Sequence, residues 1–467
     1  MYVNNCLNAA RNFISGNVTI RNGTKAIAED AFYDRSSVTD ITIPSSVTSI
    51  EKNAFSYCSG LTSVTIHSGV KSIGVGAFSC CKSLKSVTIP SSVKSIGGSA
   101  FFVCKSLKSV IIPSSVTSIG DSVFSSCSSL TDITISESVT SIGEKAFDGC
   151  SSLRNIQVSE ANQNYCSVDG ALYDKSKETL IMVFQNGISK FVIPESVTTI
   201  EDNAFKDCQN LTNIVIPNSV KKIGRWAFEG CKSLTNVVIP EGVTEIEYAT
   251  FSGCQSLANI SIPASVKQIG GDVLKGCDRL ESIKVSDANP NYCSVDGVLF
   301  DKSKKNLIVY PKKKKGKFAI PEGITEIDET IFSNSEGLTS VIIPNSVKKI
   351  GERTFANCKN LKSVVIPNSV TEIGGEAFSG CASLSNIVVP NRVKKIEDGT
   401  FNGCQNLTAI TLPDSVTEIG SRAFRWCSNL SSITLPNSVT TIESEAFSGC
   451  ASLSNIVIPN KVKKIED

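Results

Sequence analysis

The sequence predicts a solenoid built from stacked, near-identical coils rather than a set of globular domains. Cysteine recurs with a 23-residue period over residues 58–150, 208–277 and 358–450, in the pattern Ala-Phe-x-x-Cys. Sixteen positions keep this spacing, and cysteine fills all but Arg35 and Ser335. A single coil could not bury its strip of apolar side chains, whereas a stack forms a continuous core whose stability is roughly a sum of nearest-neighbour terms.

Each repeat also carries a predicted strand. The segment Leu-x-x-Val-x-Ile-Pro, as in residues 84–90 and 361–367, places apolar residues at positions 1, 4 and 6 of a short β-branched run. Such a run is typical of a strand, and the proline that follows can end ladder pairing. The pattern therefore predicts that strands recur at the period of the cysteines.

The strand segment is close to the generic leucine-rich repeat pattern L-x-x-L-x-L. It departs from that pattern in the proline after the strand and in serine at the usual asparagine position, as at Ser92, Ser115, Ser219 and Ser369. With Ala-Phe-x-x-Cys, these features resemble the BspA-like (Treponema-type) leucine-rich repeats over residues 27–467. The resemblance implies a leucine-rich-repeat right-handed solenoid, predominantly β with short helical turns, with a parallel strand per 23-residue coil on the concave face.

The repeats and their interruptions divide the chain into six predicted segments of one continuous solenoid. These are an N-terminal segment or cap (residues 1–26), repeat blocks at 27–158, 192–285 and 319–467, and hairpin insertions at 159–191 and 286–318. The third block stops in mid-repeat without a polar cap. Because terminal coils normally need capping, this ending indicates a fragment of a longer protein.

The two insertions share one plan. Both contain Asn-Tyr-Cys-Ser-Val-Asp-Gly, at residues 164–170 and 291–297, followed by two apolar stretches on either side of Asp-Lys-Ser-Lys. We interpret residues 171–173 with 180–184, and 298–300 with 307–310, as hairpins. One interpretation is a decorated coil that keeps the stack going. The other is that Tyr165 and Tyr292 form protruding contact sites with their hairpins, since long insertions often carry function.

The repeated cysteines are predicted to form a buried ladder. Their side chains should stack about 4.8 Å apart and point the same way, which suits weak S–H donors in a core and not disulfides. Cys80 beside Cys81, together with Cys6, Cys166 and Cys293, are the thiols to test for reactivity or intermolecular pairing. With no C-x-x-C motif and a single histidine, the sequence predicts no metal site.

Two charge patterns stand out. The residue before Ile in Val-x-x-Ile alternates in sign, at Lys222 and Glu245 and then at Glu326, Lys349, Glu372, Lys395 and Glu418. Stacked opposite charges would fix the register of neighbouring coils, with a charged docking face as the alternative. The lysine-rich residues 312–317 are predicted to be a solvated loop, with a salt-sensitive anionic contact as the alternative.

The outward strand positions are the predicted recognition surface. They are small and neutral, without the basic stripes or aromatic rings that nucleic acids require, and the lack of rings also weakens the case for sugar stacking. Protein contact remains, although good strand propensity alone would explain the same residues. The candidate contact residues are Asn213, Val215, Asn236, Val238, Ile342, Ser363, Val365, Asn386 and Val388, with Tyr165 and Tyr292 from the insertions.

Composition narrows the class of function. The 46 basic and 44 acidic residues leave a net charge of +2, which argues against nucleic acid or anionic membrane as partner. No apolar run approaches the roughly 18 residues of a membrane helix, and no signal peptide is seen. No catalytic cluster, metal set or phosphate loop appears, so we expect neither an enzyme nor a cofactor.

The resemblance implies a cell-surface or secreted adhesion module that binds a host or cell-surface protein. An intracellular or purely structural scaffold is the rival hypothesis, and a glycan is a weaker candidate ligand.

Overall fold

The computed structural model describes residues 2–3, 6–7, 14–184 and 187–465. The chain forms two compact units, Met1–Leu234 with Gly242–Cys254 and Ile269–Lys275, and Thr235–Glu241 with Gln255–Gln268 and Gly276–Asp467. Each unit is β-solenoid, with about 23 residues per coil and parallel strands. The predicted class of fold is therefore confirmed.

A regular coil contributes two strands. The first lies in the Leu-x-x-Val-x-Ile segment and belongs to what we call the long row; the second is a residue pair ending at Ile of Val-x-x-Ile and belongs to the short row. Pairing within each row is parallel and joins residues one repeat apart, as between Ser95 and Ser118 and between Ile342 and Val365. The second strand of each coil was not foreseen, because two residues are too few to show a strand period.

In the first unit, the long row consists of Gly16–Thr19, Val38–Ile43, Ser63–Ile66, Ser86–Val87, Ser109–Ile111, Asp132–Ile135, Asn155–Val158, Lys190–Val192 and Asn213–Val215. The short row consists of Ala26–Ile27, Ser49–Ile50, Ser72–Ile73, Ser95–Ile96, Ser118–Ile119, Ser141–Ile142, Thr199–Ile200, Lys222–Ile223 and Glu245–Ile246. Two short N-terminal strands are Tyr2–Val3 and Cys6–Leu7.

In the second unit, the long row consists of Asn236–Val238, Asn259–Ile262, Ser282–Val285, Gly316–Ala319, Leu338–Ile342, Ser363–Val365, Ala409–Thr411 and Ser432–Thr434. The short row consists of Glu326–Ile327, Lys349–Ile350, Glu372–Ile373, Lys395–Ile396, Glu418–Ile419, Thr441–Ile442 and Lys464–Ile465. The short strand Gln268–Ile269 has one residue in each unit.

The core is built from columns of identical residues. Buried phenylalanines of successive coils stack face to face, for example Phe55 on Phe78 with ring centroids 5.1 Å apart and Phe355 on Phe378 at 5.3 Å. Alternate strand residues point inward, so that Val364 is buried while its neighbour Val365 is exposed. The 23-residue period thus places equivalent residues of successive coils on top of one another, and each coil buries the apolar strip of the next.

The Ala-Phe-x-x-Cys segment forms successive turns instead of the expected helical turns, and the described residues contain no helix. Alternate amides donate within the coil, as from Ser56 N to Asn53 O at 2.9 Å. The intervening amides donate to the next coil, as from Phe55 N to Ala77 O and from Tyr57 N to Ser79 O, both at 2.8 Å. This alternation is incompatible with a helix, in which every amide bonds within its own segment.

Each insertion is a three-stranded antiparallel sheet. The strands are Tyr165–Val168, Ala171–Asp174 and Thr179–Val183 in the first insertion, and Tyr292–Val295, Val298–Asp301 and Leu307–Val309 in the second. The expected hairpins are present, and the Asn-Tyr-Cys-Ser-Val segment supplies an additional strand to each. Thr179 and Leu180 pair in parallel with Thr199 and Ile200, so this insertion keeps the stack going.

A buried asparagine anchors each insertion to the preceding coil. Asn162 Nδ2 donates to Ser136 O at 2.7 Å and to Val139 O at 3.0 Å, while its Oδ1 accepts from Asn164 N and Tyr165 N at 2.8 Å. Asn289 makes the corresponding four bonds. Because both ends of the amide are satisfied, the buried polar group stabilises the entry into the insertion.

Candidate protein-contact surface

The second unit exposes a column of apolar side chains on its long row. Ile342 and Val365 occupy the same register position in paired strands, and their side chains are 51% and 57% exposed. Val388 follows at the same spacing and is 71% exposed. Adjacent strands lie about 4.8 Å apart, so these residues form an apolar ridge, which we define as Ile342, Val365 and Val388.

A polar column flanks the ridge. Ser363 and Asn386 are exposed and lie at bridged positions of successive coils, while Ser340 Oγ and Ser363 Oγ are 3.0 Å apart. The hydroxyl and amide groups stand two positions before the ridge residues along the chain, on the same face of the strand. The face therefore offers apolar contact beside neutral hydrogen-bonding groups.

The remaining strand candidates are also exposed. In the first unit, Val215 pairs with Val192 and both point outward, with Asn213 exposed on the same strand. In the second unit, Asn236 and Val238 are both exposed on one strand. Val192 was missed in the sequence, although its place one repeat before Val215 is the signal that would have found it.

Tyr165 does not protrude, contrary to the sharper expectation for the first insertion. Its ring is half-buried against the core, its phenolic oxygen accepts a hydrogen bond from Ile142 N at 3.0 Å, and burial raises its pKa. Tyr292 of the second insertion is half-buried as well. Neither side chain is placed as an exposed anchor, because packing against the preceding coil satisfies the Tyr165 ring and hydroxyl together.

Lysines of the run at residues 312–317 differ in their surroundings: Lys315 and Lys317 are exposed, as a solvated loop predicts, whereas Lys312 and Lys314 are bound to the protein. Lys312 Nζ donates to Ser333 O at 2.7 Å and to Ile331 O at 3.3 Å, and burial lowers its pKa. Lys314 Nζ lies 2.8 Å from Asp296 Oδ2. The solvated loop was therefore the wrong expectation for these two residues, because backbone carbonyls accept hydrogen bonds from Lys312 and a carboxylate pairs with Lys314.

The cysteine ladder is buried as predicted at thirteen of its fourteen cysteines, and Cys450 is half-buried. Most of its thiols donate to the carbonyl of a phenylalanine in the preceding coil, for example Cys58 Sγ to Phe32 O at 3.0 Å. Burial raises the pKa of Cys58 to about 11 and that of Cys208 to about 12, so both thiols stay protonated at neutral pH. All seventeen cysteines whose side chains the structure describes are free, and Cys166 and Cys293 are half-buried like Cys450.

Among the described residues, no group of three His, Cys, Asp or Glu side chains is placed to hold a metal ion.

The side chain of Cys6, one of the thiols proposed for testing, lies outside the described residues. Within the described part of the chain, no helix is long and apolar enough to cross a membrane.

The stacked coils, with a Leu-x-x-Val-x-Ile strand in each, define a leucine-rich repeat protein. The family model described as the BspA type leucine rich repeat region (6 copies) matches residues 11–130, 71–170, 183–305, 310–430 and 371–467. The chain therefore belongs to the BspA type leucine-rich repeat family. This result confirms the resemblance found in the sequence.

Several solved structures are similar to this chain. A leucine-rich repeat protein from Eubacterium ventriosum is 27% identical, with 78% of this chain and 82% of that chain covered and a TM-score of 0.47. A leucine rich cell surface protein from Faecalibacterium prausnitzii is 28% identical, with coverages of 92% and 89% and a TM-score of 0.35. A leucine-rich repeat protein from Bacteroides ovatus is 26% identical, with coverages of 97% and 94% and a TM-score of 0.38. A search of the curated proteins found no match.

Proposed function

We propose that the chain is a non-catalytic protein-binding module that holds a partner protein on the outward face of its long row. The observation that carries the proposal is the apolar ridge of Ile342, Val365 and Val388, each more than half exposed. Leucine-rich repeat proteins are generally protein-interaction modules, which supports the proposal. The partner's matching surface is neutral, with small apolar side chains against the ridge and hydrogen-bonding groups opposite Ser363 and Asn386.

The physical basis is the removal of apolar surface from water on a pre-formed scaffold. Exposed β-branched side chains lose little rotamer freedom on binding, and the strands that carry them are held in register by the coils on either side. Apolar burial stabilises an interface by about 25 cal/mol per Å² before the cost of association is subtracted. A neutral face also implies that binding depends only weakly on salt.

The proposal includes an adhesion role at the cell surface or in the secreted fraction, which the family resemblance supports. Protease shaving of intact native cells, with lysed cells as control, tests this location. Peptides released from intact cells are the expected result. Release only after lysis would favour the rival intracellular or structural scaffold.

The contact face is tested with charge substitutions. A triple variant, Ile342→Lys, Val365→Lys and Val388→Lys, should lose binding to native cell-surface proteins that the wild-type chain retains in a cross-linking pull-down. The control adds three lysines at the same spacing on the turn side of the solenoid, at Asn360, Ser383 and Asn406, and should bind like the wild type. Equal binding by both variants would remove the ridge from the interface.

A further inference from the structure

The first insertion borders a cavity of about 390 Å³, which its third strand lines together with residues 142–148 and 201–203. Val183 N donates to Ala204 O at 2.8 Å, which is the bond that Phe55 N makes to Ala77 O in a regular coil. Val183 therefore occupies a position that phenylalanine fills elsewhere. A valine side chain is too small to replace the aromatic ring, and the cavity lies beside it.

The second insertion shows the same position filled. Val183 and Tyr310 are equivalent when the two insertions are aligned on their shared Asn-Tyr-Cys-Ser-Val-Asp-Gly segments. Tyr310 is buried, and its ring lies 4.6 Å from that of Phe332. The two insertions thus differ in side-chain volume at this position, and they differ also at the next one, where the first has a buried Phe184 and the second has Pro311.

The cavity has an apolar wall and a rim that carries more acidic than basic side chains. Ile181, Met182 and Val183 form part of its lining, and its rim carries five carboxylates against two lysines. The carboxylates are Glu144, Asp148, Asp174, Glu201 and Asp202, and the lysines are Lys145 and Lys206. This lining attracts a cation and rejects an anion.

Both lysines are already engaged. Lys206 Nζ lies 3.5 Å from Asp148 Oδ2 and 3.3 Å from Glu229 Oε2, while Lys145 Nζ lies 5.0 Å from the centroid of the Trp226 ring. In contrast, Glu144 and Glu201 form no ion pair with any described residue. The negative charge of the rim is thus only partly compensated within the protein.

One lining group specifically requires a hydrogen-bond donor. Asn203 Oδ1 is shielded from solvent and accepts no hydrogen bond from the described residues. A buried acceptor left without a donor costs about 1–3 kcal/mol, which a ligand that donates would recover. The volume also lies within the range of sites that hold small ligands or single side chains.

We propose that this cavity binds a primary ammonium or guanidinium group carried on an aliphatic stem. The stem packs on Ile181 and Met182, and the cationic head donates to Asn203 Oδ1 and pairs with Glu144 or Glu201. A free alkyl amine and a lysine or arginine side chain of a peptide share this chemistry. The site is separate from the long-row face and does not rest on the proposed protein contact.

Isothermal titration calorimetry of the full chain tests the site with cadaverine, Nα-acetyl-lysine amide and Nα-acetyl-arginine amide. Saturable one-to-one binding that weakens with added salt is expected, and glutarate should not bind. Tighter binding of cadaverine would indicate a free amine as the natural ligand, and tighter binding of a blocked amino acid would indicate a peptide side chain. Absence of saturable binding by all three cations would overturn the proposal.

Two variants separate charge from volume. The double variant Glu144→Gln and Glu201→Gln should bind about tenfold more weakly or worse, since hydrogen bonds to charged groups are among the stronger ones. Val183→Tyr, which copies the second insertion, should abolish binding by filling the cavity. Glu195→Gln, an exposed carboxylate outside the lining, should bind like the wild type.

Thermal melts of each variant identify any loss of fold. If Val183→Tyr does not fold, the double glutamine variant still decides the question, because its substitutions are isosteric and at the rim. Wild-type affinity in the double variant would overturn the assignment of the cationic head. Wild-type affinity in a folded Val183→Tyr variant would overturn the assignment of the cavity.

Discussion

At the scale of single residues, left-handed backbone positions shape every turn segment. The residue before the repeated cysteine has a positive φ in coil after coil, and glycine often occupies it, as at Gly149 and Gly230. Val103 holds the same position with φ at 60°. A β-branched residue is strained there, because its Cβ substituents approach the backbone. The amide ladder between turn segments enforces the conformation whichever residue is present.

Replacing Val103 with glycine should therefore stabilise the protein. Relief of the left-handed strain outweighs the added entropy of the unfolded glycine, and we expect a gain of about 1 kcal/mol in the free energy of unfolding. Urea unfolding followed by circular dichroism measures the change. The reciprocal variant Gly149→Val should destabilise the protein, and a loss of stability in Val103→Gly would contradict this account.

At the scale of repeated elements, the thiol ladder couples stability to alkaline pH. Burial raises the pKa of Cys358 and of Cys427 to about 12 from an ordinary value of 9.0. The unfolded chain ionises these thiols from about pH 9, whereas the folded chain keeps them protonated. Their contribution to stability is therefore full below about pH 9 and is lost as pH rises towards about 12.

The double variant Cys358→Ala and Cys427→Ala should show a shallower decline in stability above pH 9. The variant lacks two thiols that keep their protons when folded and lose them when unfolded. The slope of unfolding free energy against pH should therefore be smaller by about 1–3 kcal/mol per pH unit between pH 9 and 10. Urea titrations under reducing conditions give this slope. The same variant at pH 7 reports the packing cost alone, and an unchanged slope would show that the thiols do not hold their protons in the fold.

The charge ladder of the short row is a second repeated element. Lys349 Nζ lies 3.5 Å from Glu326 Oε1 and 3.3 Å from Glu372 Oε1, and Lys395 Nζ lies 2.6 Å from Glu418 Oε1. Lys349 thus pairs with acids of both adjacent coils, and Lys395 pairs with the acid of the following coil. The alternation is therefore present as ion pairs from Glu326 to Glu372 and from Lys395 to Glu418, whereas Lys222 and Glu245 form none with each other. These pairs support the interpretation of the stripe as one that fixes register.

Reversing the charge at Lys349 and Lys395 should lower the melting temperature. Lys349→Glu with Lys395→Glu replaces attraction by repulsion along the stripe, and we expect a fall of about 2–4 °C that shrinks at high salt. Calorimetry in low and high salt measures it. Lys348→Glu with Lys394→Glu, at two neighbouring exposed lysines, controls for net charge, and an equal effect in that variant would show that position in the ladder is irrelevant.

At the scale of the whole molecule, stacking makes stability local. In a repeat array each coil is stabilised mainly by its neighbours, so a core defect should propagate only a short distance. Phe78 illustrates the point, since its ring stacks between Phe55 at 5.1 Å and Phe101 at 5.5 Å. The two faces of this ring are thus covered by the coils immediately before and after it.

Phe78→Ala should raise amide hydrogen exchange in the coils of Phe55 and Phe101 and leave the coil of Phe228 unchanged. Loss of a buried phenylalanine costs about 3–5 kcal/mol, which is large enough to be seen in the neighbouring coils. Exchange measured by mass spectrometry resolves the coils. A uniform increase throughout the first unit would indicate global cooperativity instead of nearest-neighbour coupling.

The sequence by itself determined the repeat, the long-row strands, the buried thiols and the alternation of charge. These follow from period alone, because a constant repeat length places identical residues in register wherever strands stack in parallel. The outward columns with Ile342 and Val365 follow in the same way from the two-residue period of a strand. Where the repeat is exact, the position of a residue within its repeat therefore predicts which residues it packs against in the neighbouring coils.

Only the tertiary structure decided the backbone conformation and side-chain placement in two kinds of place. These are the insertions, which interrupt the repeat, and the turn segments, whose amides bond to the next coil. Turns replaced the expected helical segments because the amides of Phe55 and Tyr57 bond to the next coil. Tyr165 packs inward because its phenolic oxygen accepts a hydrogen bond from the amide of Ile142 in the preceding coil. The sequence shows valine at 183 where the second insertion has Tyr310, but the cavity beside it depends on how residues of neighbouring coils pack, which the spacing of residues along the chain does not specify.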